Sequence, residues 1–296
     1  MNNFERIIDV ILNKFGKNIP DELYLKIKYR LRAGYWMDFN NPQTLNEKLQ
    51  WLKIHNRQDK YTTYSDKYLV KHYIEETLGK EYVIPTLGVW DDPDEIDFDK
   101  LPNRFVMKPT HNSSVGRCLC EDKSKLDIEA TRKMLKKALK QNYYYIWREW
   151  PYKNIKPRVI AEPYIVNADG TPIVDYKFYC YGGEPRYFMY SVGEAHHHVR
   201  NCKFDLEGNN IDHLFKKKRA LSDDEIKLPK NLDKMVEVVR KLCVGYPHIR
   251  IDLYNVDGKI LFGEMTFYSG DGFINIDSKE FSQKMADYID LEPYRK

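Results

Sequence analysis

Apolar residues recur every three or four positions through the first sixty residues of the chain, which is the spacing of amphipathic helices. This spacing predicts three helices, over 4–15, 21–33 and 44–54. Thr44 precedes Glu47 by three positions, the pattern of a capping box, so the third helix is expected to begin at Thr44. Ser65 is a further N-cap candidate and Gly79 a stop, which together predict a fourth helix with Lys67 in its first turn.

From residue 82 onward the apolar positions fall in short or alternating runs, which are typical of β-strands. The predicted strands cover 82–84, 86–90, 104–108, 117–120, 159–166, 173–181 and 184–192. Two stretches return to helical spacing, 128–141 and 231–243. This mixture of helices and strands predicts an α+β fold.

Two consecutive glycines at 182–183 separate two of the alternating runs and predict a hairpin with a two-residue turn. In the resulting register Asp175 lies opposite Tyr190. Asp175, Lys177 and Arg186 then project from the same face of the sheet, which would gather charged groups there.

A second predicted hairpin joins 248–254 to 259–266 and carries two carboxylates. A three-residue loop at 256–258 places Asp252 opposite Phe262 and Glu264 opposite Arg250. The carboxylates are then diagonal neighbours on one face, within reach of shared Mg²⁺ ions. A loop of two or four residues would put them on opposite faces. The alternative interpretation is an Arg250–Glu264 ion pair with Asp252 in solvent.

The predicted strand 104–108 delivers Lys108 to a polar loop that ends in glycine, 110–116. Backbone N–H groups of this loop, including those of Ser113 and Ser114, can bind phosphate. The alternative is a solvated lysine followed by an ordinary connector. Glu162, in the strand 159–166, can pair with adenine and ribose, or can be one edge carboxylate of a core strand.

Composition narrows the function classes further. With 48 basic and 44 acidic residues the net charge is only +4, so nucleic-acid binding gains no support. No apolar run is long enough to cross a bilayer, and the start of the chain has the pattern of a helix, not of a signal peptide. Five cysteines without a CxxC pair indicate reduced thiols. We therefore expect a cytoplasmic protein.

Taken in order, six segments of the chain resemble the ATP-grasp superfamily, and together with a seventh, 148–158, they resemble more narrowly the TupA-like ATP-grasp proteins of teichuronopeptide and bacterial surface polysaccharide biosynthesis. These segments are 65–67 (SDK), 105–109 (FVMKP), 148–158 (REWPYKNIKPR), 161–164 (AEPY), 175–178 (DYKF), 249–254 (IRIDLY) and 262–267 (FGEMTF). The resemblance covers roughly residues 40 to 290. It implies an N-terminal helical region (1–62) and two α+β lobes that clasp ATP (63–161 and 162–296).

The resemblance also implies roles for individual residues around ATP and Mg²⁺. These are phosphate contacts from Lys67 and Lys108, adenosine contacts from Glu162 and the backbone near Tyr164, magnesium ligands Asp252 and Glu264, and catalytic residues Lys177 and Arg250. The loop after Lys108 contains fewer glycines than the phosphate lid of relatives, which restricts how closely its backbone can approach a phosphate.

The acceptor is expected to meet the segment 148–158, where basic side chains can attract carboxylates and aromatic rings can stack on sugars. The substrate-binding candidates are Arg148, Trp150, Arg158 and Arg200. The alternative is a surface crossover whose aromatic residues pack beneath the lid. The basic run 216–219 is interpreted as a solvated loop, with peripheral contact to an anionic membrane or a lipid-linked glycan as the lesser alternative. The histidines at 196–198 are interpreted as a loop.

Three hypotheses for function follow from the resemblance. The first is a ligase that uses ATP to join an amine or amino acid to an acidic sugar of a surface polysaccharide or its precursor. The second is a kinase on the same scaffold that phosphorylates a sugar hydroxyl. The third is a glycan-binding module with a degenerate nucleotide site.

Overall fold

A computed structural model of the protein describes residues 3–112, 115–193, 199–215 and 221–295. The chain begins with the three predicted helices, α1 (Asn3–Phe15), α2 (Asp21–Ala33) and α3 (Leu45–His55). The capping box of α3 is confirmed. The Thr44 side chain accepts a hydrogen bond from the backbone N–H of Glu47, and the Glu47 carboxylate accepts one from the backbone N–H of Thr44.

The predicted start of the fourth helix at Ser65 is wrong. One helix, α4 (Asp59–Ser65), ends there, and α5 (Val70–Thr77) begins five residues later. The Asp66 carboxylate accepts hydrogen bonds from the backbone N–H groups of Tyr68 and Leu69, so Asp66 shapes the turn that Ser65 was expected to cap. Lys67 therefore lies in a turn between two helices, not in a first helical turn.

A four-stranded antiparallel sheet contains β1 (Gly88–Trp90), β2 (Phe105–Pro109), β3 (Cys118–Cys120) and β4 (Val159–Pro163), in the order β1-β4-β2-β3. Helix α6 (Ile128–Leu139) covers one face, and its buried Leu135 joins the core of this sheet. The short helix α7 (Tyr144–Trp147) follows α6. The strand predicted at 82–84 is wrong, because a 3-10 helix, Lys80–Tyr82, occupies its start.

A five-stranded antiparallel sheet contains β5 (Val174–Tyr181), β6 (Glu184–Val192), β7 (Arg200–Phe204), β8 (His248–Val256) and β9 (Lys259–Thr266), in the order β7-β6-β5-β8-β9. Helices α8 (Leu232–Cys243) and α9 (Lys279–Asp287) complete this half. Its core is continuous with buried residues of α2 and α3, so the N-terminal helices pack against the second sheet. Strand β4 reaches Pro163, two residues past the expected lobe boundary.

The β5–β6 hairpin has the predicted two-residue turn, with Tyr181 opposite Glu184. Further from the turn the predicted register is wrong, because a bulge shifts the pairing by one residue and Asp175 lies opposite Ser191. Pro185 lies at this irregularity, where a residue without a backbone N–H is tolerated. The bulge removes Arg186 from the face of Asp175, and its guanidinium stacks on Tyr288 instead.

The β8–β9 hairpin differs from the prediction in its loop and in its register. Its turn has two residues, Asp257 and Gly258, both at positive φ (51° and 88°), and not the predicted three. A bulge next to Gly263 then shifts the register, so that Asp252 lies directly opposite Glu264. A Cβ atom at Gly263 would lie 3.0 Å from the Asp252 carbonyl oxygen, so this close approach favours glycine. The carboxylates share a face, as expected, because the bulge offsets the shorter loop.

The sequence-based expectations for cysteine and for membrane spans agree with the structure. All five cysteines are buried, and none of them forms a disulfide bond. Among the residues that the structure describes, no helix is both long and apolar enough to cross a membrane.

Arg148 is fully buried, contrary to its expected place at the surface of an acceptor site. Its Nε lies 2.9 Å from the Asp21 carboxylate, and its Nη2 donates to the Gly16 carbonyl at 2.6 Å. The guanidinium also stacks on Tyr24, with 3.9 Å to the ring centroid. Arg148 thus joins the segment after α7 to the first two helices.

We predict that Arg148→Ala destabilises the protein by about 3–5 kcal/mol, because it removes a fully buried side chain and leaves the Gly16 and Tyr145 carbonyl groups without its hydrogen bonds, although Asp21 keeps its pair with Arg57. Urea unfolding measures the loss. The control is Arg200→Ala, which removes an arginine from a pair exposed to solvent and should cost less than about 1 kcal/mol. Equal stability of the two variants would contradict the structural role of Arg148.

Candidate functional site

A cavity of about 220 Å³ lies between the two sheets, and we call it the central cleft. One wall comes from β2, β3 and β4, and the other from β5, β8 and β9. The cleft brings together most of the residues that the sequence analysis assigned to ATP and magnesium. Its lining includes Lys67, Lys108, Glu162, Tyr164, Lys177, Asp252 and Glu264.

Lys67 is held at the cleft by the chain segment that follows β2. Its backbone N–H donates to the Thr110 carbonyl at 3.1 Å, and its Nζ donates to the Asn112 carbonyl at 2.6 Å. Its Nζ also lies 3.8 Å from the Glu264 carboxylate of the opposite sheet. Burial lowers the pKa of Lys67, although Glu264 raises it. The ammonium group therefore bridges the two walls of the cleft.

The first residues of the segment after β2 are held at the C-terminal end of α6. The Asn112 side chain donates to the Ala138 carbonyl at 2.9 Å, and a His111 ring nitrogen lies 3.0 Å from the Gln141 carbonyl oxygen. Gly116 has a φ of +77°, and a Cβ atom there would lie 2.4 Å from the Ala138 Cβ, so the position requires glycine. Ser113 and Ser114 lie outside the described residues, and their expected phosphate contacts stay a prediction.

Glu162 is buried between two lysines. Its carboxylate oxygens lie 2.6 Å from Lys108 Nζ and 2.5 Å from Lys71 Nζ. Burial raises the pKa of Glu162, but Lys108 and Lys71 outweigh that effect and hold the pKa below its ordinary value. Sequence reasoning missed Lys71, although it follows Lys67 by four residues. The carboxylate of Glu162 thus holds Lys108, which lines the cleft, and Lys71 beside it.

The opposite wall carries a network of charges centred on Arg250. Its Nε and Nη2 donate to the two carboxylate oxygens of Asp252 at 2.6 and 2.7 Å, and Nη2 also donates to Glu264 at 2.6 Å. Lys177 Nζ lies 2.8 Å from Asp175 and 3.4 Å from Asp252. The Arg250–Glu264 ion pair of the alternative interpretation is therefore present, but its solvated Asp252 is wrong, because Asp252 is only 2% exposed.

The two acids of this network differ in their protonation energetics. Burial raises the pKa of Asp252 to about 6, against the opposing effect of Arg250 and Lys177. Burial also raises the pKa of Glu264, but Lys67, Arg250 and Lys177 together lower it to about 2. Glu264 is therefore ionised at neutral pH, and its side chain is one-third exposed toward the cleft.

The donor set at the acids fits a magnesium ion that also binds phosphate oxygens. Carboxylate oxygens are hard ligands, and Mg²⁺ bound with a nucleotide commonly takes only one or two of them from the protein. Asp252 and Glu264 supply two from adjacent strands. Within the described part of the chain no cluster of three or more His, Cys, Asp or Glu side chains could hold a metal by itself, so phosphate and water would complete the ligand sphere.

Tyr164 lines the central cleft together with several apolar side chains. Its hydroxyl donates to Glu121 at 2.7 Å, and the Arg104 guanidinium lies over its ring. Ile165 and Ile173 line the same region. An apolar slot with a few polar groups is the type of surface that binds a flat base.

The four substrate-binding candidates do not line the central cleft. Arg148 is buried as described above, and the Trp150 ring stacks against the Arg57 guanidinium. Arg158 donates to the Asp66 carboxylate at 2.8 Å and so supports the turn that carries Lys67. Arg200 pairs with Glu225. Residues 196–198 and 216–219, which the sequence analysis interpreted as loops, lie outside the described residues.

Comparison with known proteins gives one family and several solved structures. A family model described as TupA-like ATP-grasp matches residues 47–290. D-alanine–D-alanine ligase from Helicobacter pylori is 13% identical over 84% of this chain and 70% of its own, with a TM-score of 0.42. The enzyme from Bacillus anthracis is 19% identical over 76% of this chain and 62% of its own, with a TM-score of 0.41.

The ATP-grasp ligase PsnB, solved with a minimal precursor, is 13% identical over 90% of this chain and 68% of its own, with a TM-score of 0.41. A search of the curated proteins found no significant match.

We predict that Glu162→Gln lowers the free energy of unfolding at pH 7 by about 3 kcal/mol, because it leaves two half-buried lysines without their anion. The native pKa of Glu162 lies below the ordinary 4.5, so the wild type loses this stabilisation as the pH falls through 4.5 and below. The variant should therefore show a weaker loss of stability with acidification. Urea unfolding at several pH values measures both effects.

The control is Glu292→Gln, which changes a carboxylate of an exposed pair with Arg295. If the free energy of unfolding of Glu162→Gln fell with acidification as steeply as that of the wild type, the stabilising ion pairs of Glu162 with Lys108 and Lys71 would be ruled out.

Proposed function

The chain belongs to the TupA-like ATP-grasp family, and on that premise we propose that it joins a carboxylate to an amine through an acyl phosphate. At the coarse level, family membership makes the protein an ATP-dependent ligase of ATP-grasp fold. The observation that carries the finer proposal is the convergence of Lys67 and Lys177 with two carboxylates in one cleft, where Arg250 donates hydrogen bonds to both carboxylates.

The proposed reaction has two steps. A substrate carboxylate oxygen attacks the γ-phosphorus of ATP, the bond from that phosphorus to the β-γ bridging oxygen breaks, and ADP leaves. The amine nitrogen then attacks the acyl carbon, inorganic phosphate leaves with its electron pair, and the nitrogen loses a proton to form the amide. A cleft that excludes water protects the acyl phosphate from hydrolysis.

The side chains of the cleft supply positioning and charge. Lys67 and Lys108 hold phosphate oxygens, and Lys177 and Arg250 stabilise the negative charge that gathers around the transferred phosphoryl group. Asp252 and Glu264 would hold Mg²⁺, which when bound neutralises phosphate charge. Arg250 also keeps the two acids side by side before a nucleotide arrives.

The acid is proposed to be a uronic acid of a bacterial surface polysaccharide or its precursor, and the amine an amino acid or other amine. The resemblance of the seven sequence segments to TupA-like proteins supports this choice. We place the reaction in the cytoplasm, where ATP is available, and five cysteines without a disulfide bond accord with a reducing compartment.

We predict that ADP and phosphate appear together only when ATP, Mg²⁺, a uronic acid and an amine are all present. Mass spectrometry of the sugar should then show an amide. A phosphorylated sugar without free phosphate would contradict the ligase and favour the kinase, which leaves the phosphoryl group on a hydroxyl. Omitting each component in turn provides the controls.

We also predict that Asp252→Asn and Glu264→Gln lower turnover by at least 100-fold while the protein stays folded, because each removes a ligand charge from the same site. Asp257→Asn is the matched control, since Asp257 lies in the turn of the same hairpin and Asn tolerates its positive φ. Turnover measured with saturating nucleotide separates the three variants. Near-normal rates in both site variants would exclude the proposed metal role.

A further inference from the structure

A second cavity, of about 230 Å³, opens on the five-stranded sheet, and we call it the ring pocket. Its walls come from β5, β6 and β7 and from the segment that follows β9. Its lining includes Tyr179, Met189, Asn201, Lys203, Ser269 and Asn275. None of these residues has a role in the proposed function so far.

The ring pocket lies on the same face of the sheet as the central cleft. Side chains alternate along a strand, so Asp175, Lys177 and Tyr179 of β5 project to one side. Asp175 and Lys177 line the central cleft, whereas Tyr179 lines the ring pocket. Residues two apart on a strand are separated by roughly 7 Å, so the two cavities meet near Lys177.

The cross-strand pairing places the proposed catalytic residues, Lys177 and Arg250, between the two cavities. Lys177 lies opposite Met189 on one side, and Met189 lines the ring pocket. Tyr179 lies opposite Arg250 on the other side. A molecule in the ring pocket would therefore lie beside the two cations that face the transferred phosphoryl group.

The walls of the ring pocket combine aromatic rings with a few hydrogen-bonding groups. Tyr179 and Tyr187 stack with ring centroids 4.7 Å apart, and Phe215 packs against Tyr187 at 5.2 Å. Lys203 lies 3.1 Å from the buried Asp212, so its charge is largely neutralised. Such a lining suits a ring that has apolar faces and hydroxyl groups at its rim.

Ser269 supplies an independent sign that the ring pocket takes a polar ligand. The residue is 1% exposed, and its hydroxyl has no hydrogen-bond partner among the described residues. A buried hydroxyl without a partner is costly unless a ligand or water satisfies it. The neighbouring Gly270 has a positive φ of 59°, so the backbone there turns sharply beside the pocket.

We propose that the ring pocket binds the pyranose ring of the acidic sugar, with its carboxylate directed along β5 toward Lys177 and Arg250. The proposal rests on the proposed function, since it identifies where the carboxylate substrate of that reaction binds. Stacking on the aromatic wall would hold the ring, and Ser269 and the asparagines would bind its hydroxyls. The amine would then approach from outside the ring pocket.

The test measures binding of D-glucuronic acid and D-galacturonic acid to the full chain by titration calorimetry, with ADP and Mg²⁺ present. Met189→Trp fills the pocket with a larger ring and should weaken uronic-acid binding at least tenfold. Ser269→Ala removes one hydrogen-bond donor and should weaken it roughly two- to tenfold. Met134→Trp, at a partly buried methionine of α6 in the other sheet, is the matched control and should bind as the wild type does.

Binding of ADP with Mg²⁺ to each variant is the second measurement and should change less than twofold. Melting curves check that each variant is folded, and Ser269→Ala preserves the test if the larger ring is not tolerated. The inference is overturned if both pocket variants bind the uronic acids as tightly as the wild type does. It is also overturned if the wild type binds D-glucose as tightly as D-glucuronic acid, or if it binds neither uronic acid.

A different pattern would reject the proposed function alone. In that case the wild type binds the uronic acids in the ring pocket, with the expected losses in the variants, yet forms no ADP from ATP with any amine. If the pocket variants instead lose binding of glycine while they retain uronic-acid binding, the pocket serves the amine and the inference is wrong.

Discussion

The charge network of the cleft depends on one arginine placed between two acids. Arg250 forms three short hydrogen bonds, two to Asp252 and one to Glu264. These bonds let the two carboxylates lie on adjacent strands although Asp252 is buried. Without the guanidinium the acids would repel each other and lose hydration at the same time. Their juxtaposition also requires the bulge beside Gly263, since a regular ladder after a two-residue turn would place them on opposite faces. Electrostatics and backbone register thus impose the same arrangement.

The stability of this arrangement comes from the other side of the same strands. Tyr176 and Phe178 of β5 point into a core that also contains residues of the N-terminal helices, while Lys177 between them points to the cleft. The N-terminal helices therefore support the second sheet, and Arg148 ties the segment after α7 to them. This packing fixes the backbone of β5 and β8, so the cleft side chains are held by strands that cannot shift without opening the core.

The sequence predicted most helices and strands because their apolar spacing is a local property of the chain. The resemblance to ATP-grasp proteins implied one site for Lys67, Lys108, Lys177, Asp252 and Glu264. These residues all line the central cleft, and their roles there stay a prediction. The registers of the two hairpins were harder to predict from the sequence. The bulges near Pro185 and Gly263 depend on a missing N–H group and on a close backbone contact, neither of which hydrophobic spacing reveals. Arg148 was misassigned for a related reason, since charge in a sequence suggests exposure and only the fold shows that this cation is buried.

The functional face of the second sheet is divided between charge and aromatic rings, and the division follows β5. Near Asp175 and Lys177 the face is ionic and adjoins the lysines of the other lobe, whereas beyond Tyr179 it consists mainly of rings and amides. A phosphoryl acceptor must bring an anionic oxygen to a triphosphate, two groups that repel each other, so the cations have to lie where the two molecules meet. Lys177 and Arg250 occupy that border. In the proposed reaction, a neutral acceptor site next to such a border would bind the body of the substrate without competing for the nucleotide, and this separation would let one sheet hold both molecules at once.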